Sequence, residues 1–395
     1  MSFSLVKIGE IAEVAAGGGA PQSASAFNNK GTPFIRAGSL NSLVNGALES
    51  TLEHLTDGVA NEHGLRKFPP DTVVFAKSGM SATKGHIYRL RNEAYVVNHL
   101  AAIIPSERVV PAFLEHSLRV FSPVRLIQDA AYPSIRLGDV STMHIPLPSL
   151  AEQWRIAEIL DLTRALRAKR RVALTQLDSL TQSIFLDLFG DPATNPKRWP
   201  MLKMENLFSS SPIFGTMIPP SIEGGTWLSL RVANIQDWQL DLTDQKFVEL
   251  PASTVERHSV KNGDVLLARA IASQEHLGKA VVVYPNGRQW AFDSHLMRLR
   301  FNPDRAEPEF VRSLLMTPGG RRLFLKVTRR SVVQFNINTK EIAGLHIPLP
   351  PAHLQREFVH RRASVEKLKE AQRASLIEMD ALFNSLQHRA FRGEL

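Results

Sequence analysis

The chain has 395 residues, too long for one ordinary core and enough for two domains or more. It contains no cysteine, which excludes disulfides, thiolate-ligated zinc and a cysteine nucleophile and makes the cytoplasm the expected compartment. The net charge of +9 favours a polyanionic partner, but residues 1–150 hold 13 Lys+Arg against 12 Asp+Glu and residues 196–350 hold 20 against 14, so basicity alone does not decide function.

In chain order, the opening Met1 to Glu10 lacks the basic-then-apolar pattern of a signal peptide. Apolar runs such as Leu100 to Ile104 have strand length and fall far short of a membrane span. Residues 1–148 mix short β-branched and aromatic runs with Gly, Pro and Asn, and predict a strand-rich α/β domain. Within it, Val73 to Ala76 is a buried-strand candidate, and Pro111 to Val120 reads as a helix opened by proline.

Ser149-Leu150-Ala151-Glu152 then has capping-box form and opens a long helix. Its apolar positions recur every three or four residues, at Ile156, Ile159, Leu162, Leu166, Ala173, Leu177, Leu180, Ile184 and Leu188. Gly190 followed by Asp191-Pro192 is a stop signal, and residues 149–195 form one spacer segment. Residues 196–350 predict a second strand-rich domain, with strands at Val265 to Ala268 and Ala280 to Tyr284 and a helix at Pro308 to Leu315. Residues 351–395 form the second spacer, a helix from about Ala352 to Phe391. Its seam is Phe358, Val365, Leu368, Met379, Leu382 and Leu386, interrupted by Arg361, Gln372 and Ser375. Both helices approach a heptad repeat, and two of them in one chain most simply pack together as a coiled coil. At ~1.5 Å per residue each would span roughly 55–60 Å.

The chain states nearly the same thing twice. His144-Ile145-Pro146-Leu147-Pro148 returns as His346-Ile347-Pro348-Leu349-Pro350, and Gln153 as Gln355, both at an offset of 202 residues. Ile35-Arg36-Ala37-Gly38 matches Leu230-Arg231-Val232-Ala233 at 195, and Val73 to Lys77 matches Val265 to Arg269 at 192. His99-Leu100 matches His295-Leu296, and Pro111-Ala112-Phe113 matches Pro308-Glu309-Phe310. So many matches in one order, with offsets drifting as loop insertions would make them, identify a duplicated module.

Residue patterns for catalysis are missing. Methyl transfer to a base amine needs an acidic or Asn residue before Pro-Pro-aromatic, but Pro69-Pro70, Pro219-Pro220 and Pro350-Pro351 precede Asp71, Ser221 and Ala352. Gly17-Gly18-Gly19 has neither dinucleotide nor P-loop spacing. It reads as a flexible turn, with a phosphate-approaching loop as the alternative. No carboxylate cluster is paired with a lysine to hold Mg²⁺, and no two histidines stand at helical metal-ligand spacing.

Contacts to a polyanionic partner would then come from loops. Lys77-Ser78 and Arg269 leave equivalent strands into loops that continue to Lys84 and to Gln274 and Lys279. Arg36 and Arg231 occupy matching positions after a strand, where a structural salt bridge is an equal reading. Tyr132 and Arg329-Arg330 lie in equivalent segments before the closing Pro-Leu-Pro. These eleven residues are candidates as a set, whereas Lys169-Arg170-Arg171 reads as a solvated face of the helix.

Two stretches carry a family resemblance. Ile145 to Pro148 with Glu152-Gln153 and Ile156-Ala157-Glu158-Ile159-Leu160, then Leu186-Asp187-Leu188-Phe189-Gly190-Asp191-Pro192, resembles the central conserved region of Type I restriction-modification specificity subunits. Ile347 to Pro351 with Gln355, and the stretch Ser385 to Leu395, resembles that family's distal conserved region. The entry to the second helix departs from the first, with Ala352-His353-Leu354 where the first has Leu150-Ala151-Glu152.

The resemblance implies an α+β protein with two target-recognition domains, 1–148 and 196–350, separated by long helices in an antiparallel coiled coil. It implies a non-catalytic reader of a bipartite double-stranded DNA site. Two methyltransferase subunits would dock on it, with restriction subunits where present, and there would be no membrane partner. S-adenosylmethionine, Mg²⁺ and ATP would belong to the partners, leaving this chain without a cofactor. A stand-alone two-domain DNA-binding regulator is the alternative, and the DNA-reading part of a fused enzyme is a third.

Overall fold

A computed structural model of the chain describes residues 3–28, 30–271, 273, 276–330 and 335–395. The chain divides into two compact units, Met1–Arg171 with Ala374–Leu395, and Val172–Arg373.

In the first unit the continuous apolar runs become central strands, because a strand covered on both faces needs no polar alternation. Leu100–Pro105 and Val73–Ala76 pair antiparallel, flanked by Ala12–Ala16 and Ile87–Arg89 in a four-stranded sheet. The helix Pro111–Val120 has proline at its first turn and buries Phe113, Leu114 and Leu118 in the core. A second, smaller sheet contains Thr32–Ile35 and Ala94–Val96 side by side and parallel. Leu5–Lys7 pairs antiparallel with His144–Pro146, closing the domain just before the long helix.

The second unit repeats this plan. Phe208–Phe214, Leu296–Phe301, Asp264–Ala268 and Ala280–Val283 form the four-stranded antiparallel sheet in the matching order. Trp227–Leu230 and Trp290–Phe292 form the parallel pair, and Met201–Lys203 meets His346–Pro348. Pro308–Met316 is the proline-headed helix. The duplication extends to close backbone packing. A Cβ on Gly17 would lie 2.0 Å from the Val96 carbonyl oxygen, and one on Gly215 would lie 2.1 Å from that of Phe292. The expected flexible turn at Gly17 is instead a tight crossing over a neighbouring strand, which only glycine permits.

The two long helices are Leu150–Phe189 and Ala352–Ala390. Gly190 ends the first in the left-handed conformation, at φ 79°. Each helix start is fastened by a buried glutamine. Gln153 accepts the Val110 N–H at 2.8 Å and donates to the carbonyls of Arg108 and Pro148. Gln355 accepts the Glu307 N–H at 2.9 Å and donates to Pro350. Val110 and Glu307 are the residues that cap the proline-headed helices, so one amide ties two helix starts together. The different residues before Gln355 leave this tie intact.

Within each unit the start of one long helix packs antiparallel against the end of the other. In the first unit Arg167 meets Asp380 at 2.5 Å and lies 4.4 Å over the Phe383 ring, while Arg155 donates to the carbonyl of Leu395 at 3.4 Å. In the second, Lys369 meets Asp178 at 2.6 Å, and Phe185 and Phe189 pack edge-on against Phe358. An offset of 202 carries Arg167 onto Lys369 and Asp178 onto Asp380, so the same ion pair is made twice. Among the described residues no helix is long and apolar enough to cross a membrane.

Candidate nucleic-acid interface

One end of each domain is built by strands that stop together. In the first unit the Val97 N–H donates to Ile35, Asn98 to Gly18, and Lys77 to His99, all through backbone bonds of 2.7–3.0 Å. The chain leaving Lys77 is then backed by a distant segment. Ile135 donates to Lys77 at 2.7 Å, Gly79 to Pro133 at 2.9 Å, and Ser78 bridges Ser134. Arg36, Lys77, Ser78 and the segment after Tyr132 therefore share one end of the domain.

The second unit assembles the same end from matching residues. Asp293 donates to Leu230, Arg269 to His295, and Ile337 to Arg269 at 2.9–3.0 Å. Ala270–Ile271 pairs with Phe335–Asn336, which pairs in turn with Arg329–Arg330. Arg231, Arg269 and the Arg329–Arg330 strand are thus brought together as their partners are in the first unit. Gln274 lies outside the described residues, as do the side chains of Arg329 and Arg330.

The side chains differ in how free they are to meet a ligand. Arg36 pairs with Glu53 at 2.8 Å and lies over Phe27 and Phe34. Arg231 pairs with Asp244 at 2.9 Å with only 14% of its side chain exposed. The matching arginines are thus each held in a salt bridge. Arg269 donates to the Ser294 carbonyl at 2.6 Å and stacks 4.1 Å over Phe214; burial draws its guanidinium below the usual range, against the charge of Asp293. Ser78 Oγ and His99 Nδ1 share a 2.8 Å hydrogen bond. Lys84 is exposed, Lys77 is half-buried, and Tyr132 is 82% exposed.

Lys279 lies beside Arg269, its carbonyl accepting the Ala268 N–H at 2.9 Å. It lines a cleft of about 720 Å³ in the second unit, with Arg312, Arg321, Arg362, Glu366 and Lys369 among the walls. Sequence reasoning passed over two apolar residues at the strand ends. Met80 is 68% exposed on the Lys77–Lys84 loop, and Met217 is 87% exposed beside Thr216, which bridges Asp293. For Met80 the signal was a methionine inside a polar, glycine-containing loop. Positively charged and hydroxyl groups can reach phosphates, while exposed tyrosine and methionine offer apolar contact to bases. No group of three or more His, Cys, Asp or Glu able to hold a metal occurs among the described residues.

Comparison with known proteins agrees with this architecture. Residues 2–176 match the family model of the Type I restriction modification DNA specificity domain. The chain is 25% identical over 385 residues to the StySPI specificity subunit of a Type I restriction enzyme from Salmonella potsdam, covering 92% of this chain and 82% of that one. It is 25% identical over 388 residues to the EcoKI specificity subunit from Escherichia coli K12, with the same coverage. A solved chain from a study of type I R-M system assembly superposes at a TM-score of 0.59 with 20% identity, covering 100% of this chain and 98% of that one. The S subunit from M. genitalium does so at 0.59 with 11% identity, covering 99% and 96%.

Proposed function

The chain is a member of the Type I restriction-modification specificity-subunit family, and from that premise we propose that it reads a bipartite double-stranded DNA site for partner enzymes. Residues 1–148 and 196–350 each read one half-site, and residues 149–195 and 351–395 set the spacing and dock two methyltransferase subunits. Restriction subunits add to that complex where the host encodes them. The chain contributes recognition; methyl transfer and cleavage are carried out by the partners on their own cofactors.

The observation that carries this reading is the duplicated strand end. The same backbone links recur at Lys77–Ile135 and Arg269–Ile337, each on its own domain. Two like surfaces in one chain suit a split target. Lys77, Ser78, Lys84 and Tyr132 are the contacts proposed for the first half-site, with Met80 beside them. Arg329, Arg330 and Gln274 are proposed for the second. Arg36, Arg231 and Arg269 hold the loops that present these contacts. Lys279, on the cleft, is assigned no DNA contact.

The test is the methylome of cells that express the methyltransferase partner with this chain. A split adenine-methylated motif should appear that is missing without the gene. Replacing residues 1–148 by the corresponding domain of another family member should change one half of that motif. Change in both halves, or no motif at all, would overturn the two-reader proposal.

A further inference from the structure

The cleft lined by Lys279 and Arg312 stands where the second unit departs from the plan of the first. At an offset of 195, the helix Leu40–Val44 of the first unit gives way to a hairpin, Ile235–Gln236 paired antiparallel with Gln239–Leu240. The tip of that hairpin is Asp237-Trp238, and both residues are left-handed, at φ 46° and 62°. A two-residue tip of this kind ordinarily takes Asn-Gly, because a bulky side chain at positive φ is strained. The tip is held from the cleft: Arg312 donates to the Trp238 carbonyl, and Arg321 lies 5.8 Å from the centroid of the Trp238 ring. Strain kept in place by surrounding contacts clusters at binding sites.

Arg312 is 6% exposed, yet among the described residues no carboxylate forms an ion pair with it. Acids of the cleft wall are engaged elsewhere: Glu309 with Arg362 at 2.8 Å, Glu366 with Lys369 at 3.0 Å, and Asp178 with Lys369 at 2.6 Å. Asp237 and Glu370 are exposed to solvent. Burial draws the Arg312 guanidinium down to about 10; Arg362 adds to that, and Glu309 and Glu366 oppose it. Glu115, which matches Arg312 in the first unit, has its counter-charges built in, with Arg164 at 2.6 Å, Arg119 at 2.9 Å and Arg89 at 3.3 Å. Lys279 and Arg373 of the cleft wall also form no ion pair among the described residues, and Arg373 donates to Gln239 Oε1 at 3.3 Å. A buried cation left without an anion is costly, so the second unit is short of negative charge at this place.

We propose that the cleft binds a small phosphate-bearing anion, with Arg312 as its main ligand and Lys279 and Arg373 supplying further positive charge. The planar guanidinium of Arg312 has N–H groups left over after the Trp238 carbonyl, in the fork geometry that suits two oxygens of one anion. Three cations without carboxylate partners suit a dianion better than a single carboxylate. A volume of about 720 Å³ is that of a small-molecule site, and the depth of Arg312 favours a free anion over the backbone of a duplex. Binding there would also brace the strained Asp237-Trp238 tip through Arg312.

The experiment is calorimetric titration of the full chain with sodium pyrophosphate, at ionic strength held constant with sodium chloride. Saturable binding of one pyrophosphate per chain is expected, and Arg312→Gln should weaken it roughly ten- to a hundredfold, the loss of a charge-assisted contact. If Arg312→Gln does not fold, the double variant Lys279→Ala with Arg373→Ala decides, and it should weaken binding roughly tenfold. No saturable binding, or the same affinity in the folded variant as in the native chain, would overturn the proposal. A parallel titration with a non-specific DNA duplex in excess separates the two sources of phosphate. Unchanged pyrophosphate affinity is expected, whereas competitive loss would assign the cleft to the DNA backbone and overturn the small-ligand reading. Neither titration needs a methyltransferase or a specified target, so the outcome is independent of the proposed DNA-reading role.

Discussion

At the scale of single residues, eleven polar positions that look alike in the sequence separate by what surrounds them. An arginine whose guanidinium already holds a carboxylate and an aromatic ring is a strut, and an exposed lysine on a loop is available to a phosphate. Neutralising Lys77 and Lys84 together should therefore reduce the log–log salt slope of DNA binding by about two units, since each phosphate contact supplies roughly one. The melting temperature should hardly change. Arg231→Ala should do the reverse: it removes the bonds to Asp244 and destabilises the domain by ~1–3 kcal/mol, with the salt slope of the folded fraction unchanged. Filter binding from 50 to 300 mM salt alongside thermal melts distinguishes the two. A steep slope retained in the lysine double variant would place that loop away from DNA.

At the scale of elements, much of the fold was legible. The Val73-Val74-Phe75-Ala76 run reads as a buried strand, and it is central in its sheet. Proline at the head of Pro111–Val120 and glycine after Phe189 marked helix ends that the structure keeps within a residue. The parallel pair of Thr32–Ile35 with Ala94–Val96 was not legible, because a strand of three or four residues acquires its identity from a partner some sixty residues away. The same holds for candidate contacts. That Arg36 and Arg231 sit in salt bridges depends on Glu53 and Asp244, which nothing local announces.

Glu115, buried on the helix Pro111–Val120, also depends on a distant residue, Arg164 of the first long helix at 2.6 Å, and this contact makes a measurable pH dependence. Burial pushes its carboxyl up, but Arg164 and Arg119 outweigh burial and bring it from 4.5 to about 2. A carboxylate lowered by folding stabilises the native state above its unfolded value, and that contribution is lost as pH falls from about 4.5 toward 2. The full contribution at pH 7 is about 3 kcal/mol. Urea melts of the wild type and Glu115→Gln should differ by that order at pH 7, with the gap narrowing steadily to pH 3. A gap independent of pH would show that the side chain acts by shape rather than charge.

At the scale of the whole molecule, the proposed spacer role of the two long helices would turn chain length into distance along DNA. Leu150–Phe189 is an unbroken helix, so residues inserted near its exposed Gln176 must lengthen it or break it. Four inserted residues add about one turn, ~5.4–6 Å of axis. They leave the apolar seam nearly in phase, as a stutter that a coiled coil absorbs by unwinding slightly. Each DNA base pair rises ~3.4 Å, so the unread spacer between half-sites should grow by one or two base pairs. The specified bases should not change, because the strand ends at Lys77 and Arg269 are untouched. Two inserted residues rotate the seam by about 200° at 3.6 residues per turn. They should turn Asp178 away from Lys369 and abolish methylation. Methylome sequencing of cells carrying each insertion with the partner subunits reads both outcomes. A four-residue variant that still methylates with its original spacer would show that the distance is set outside these helices.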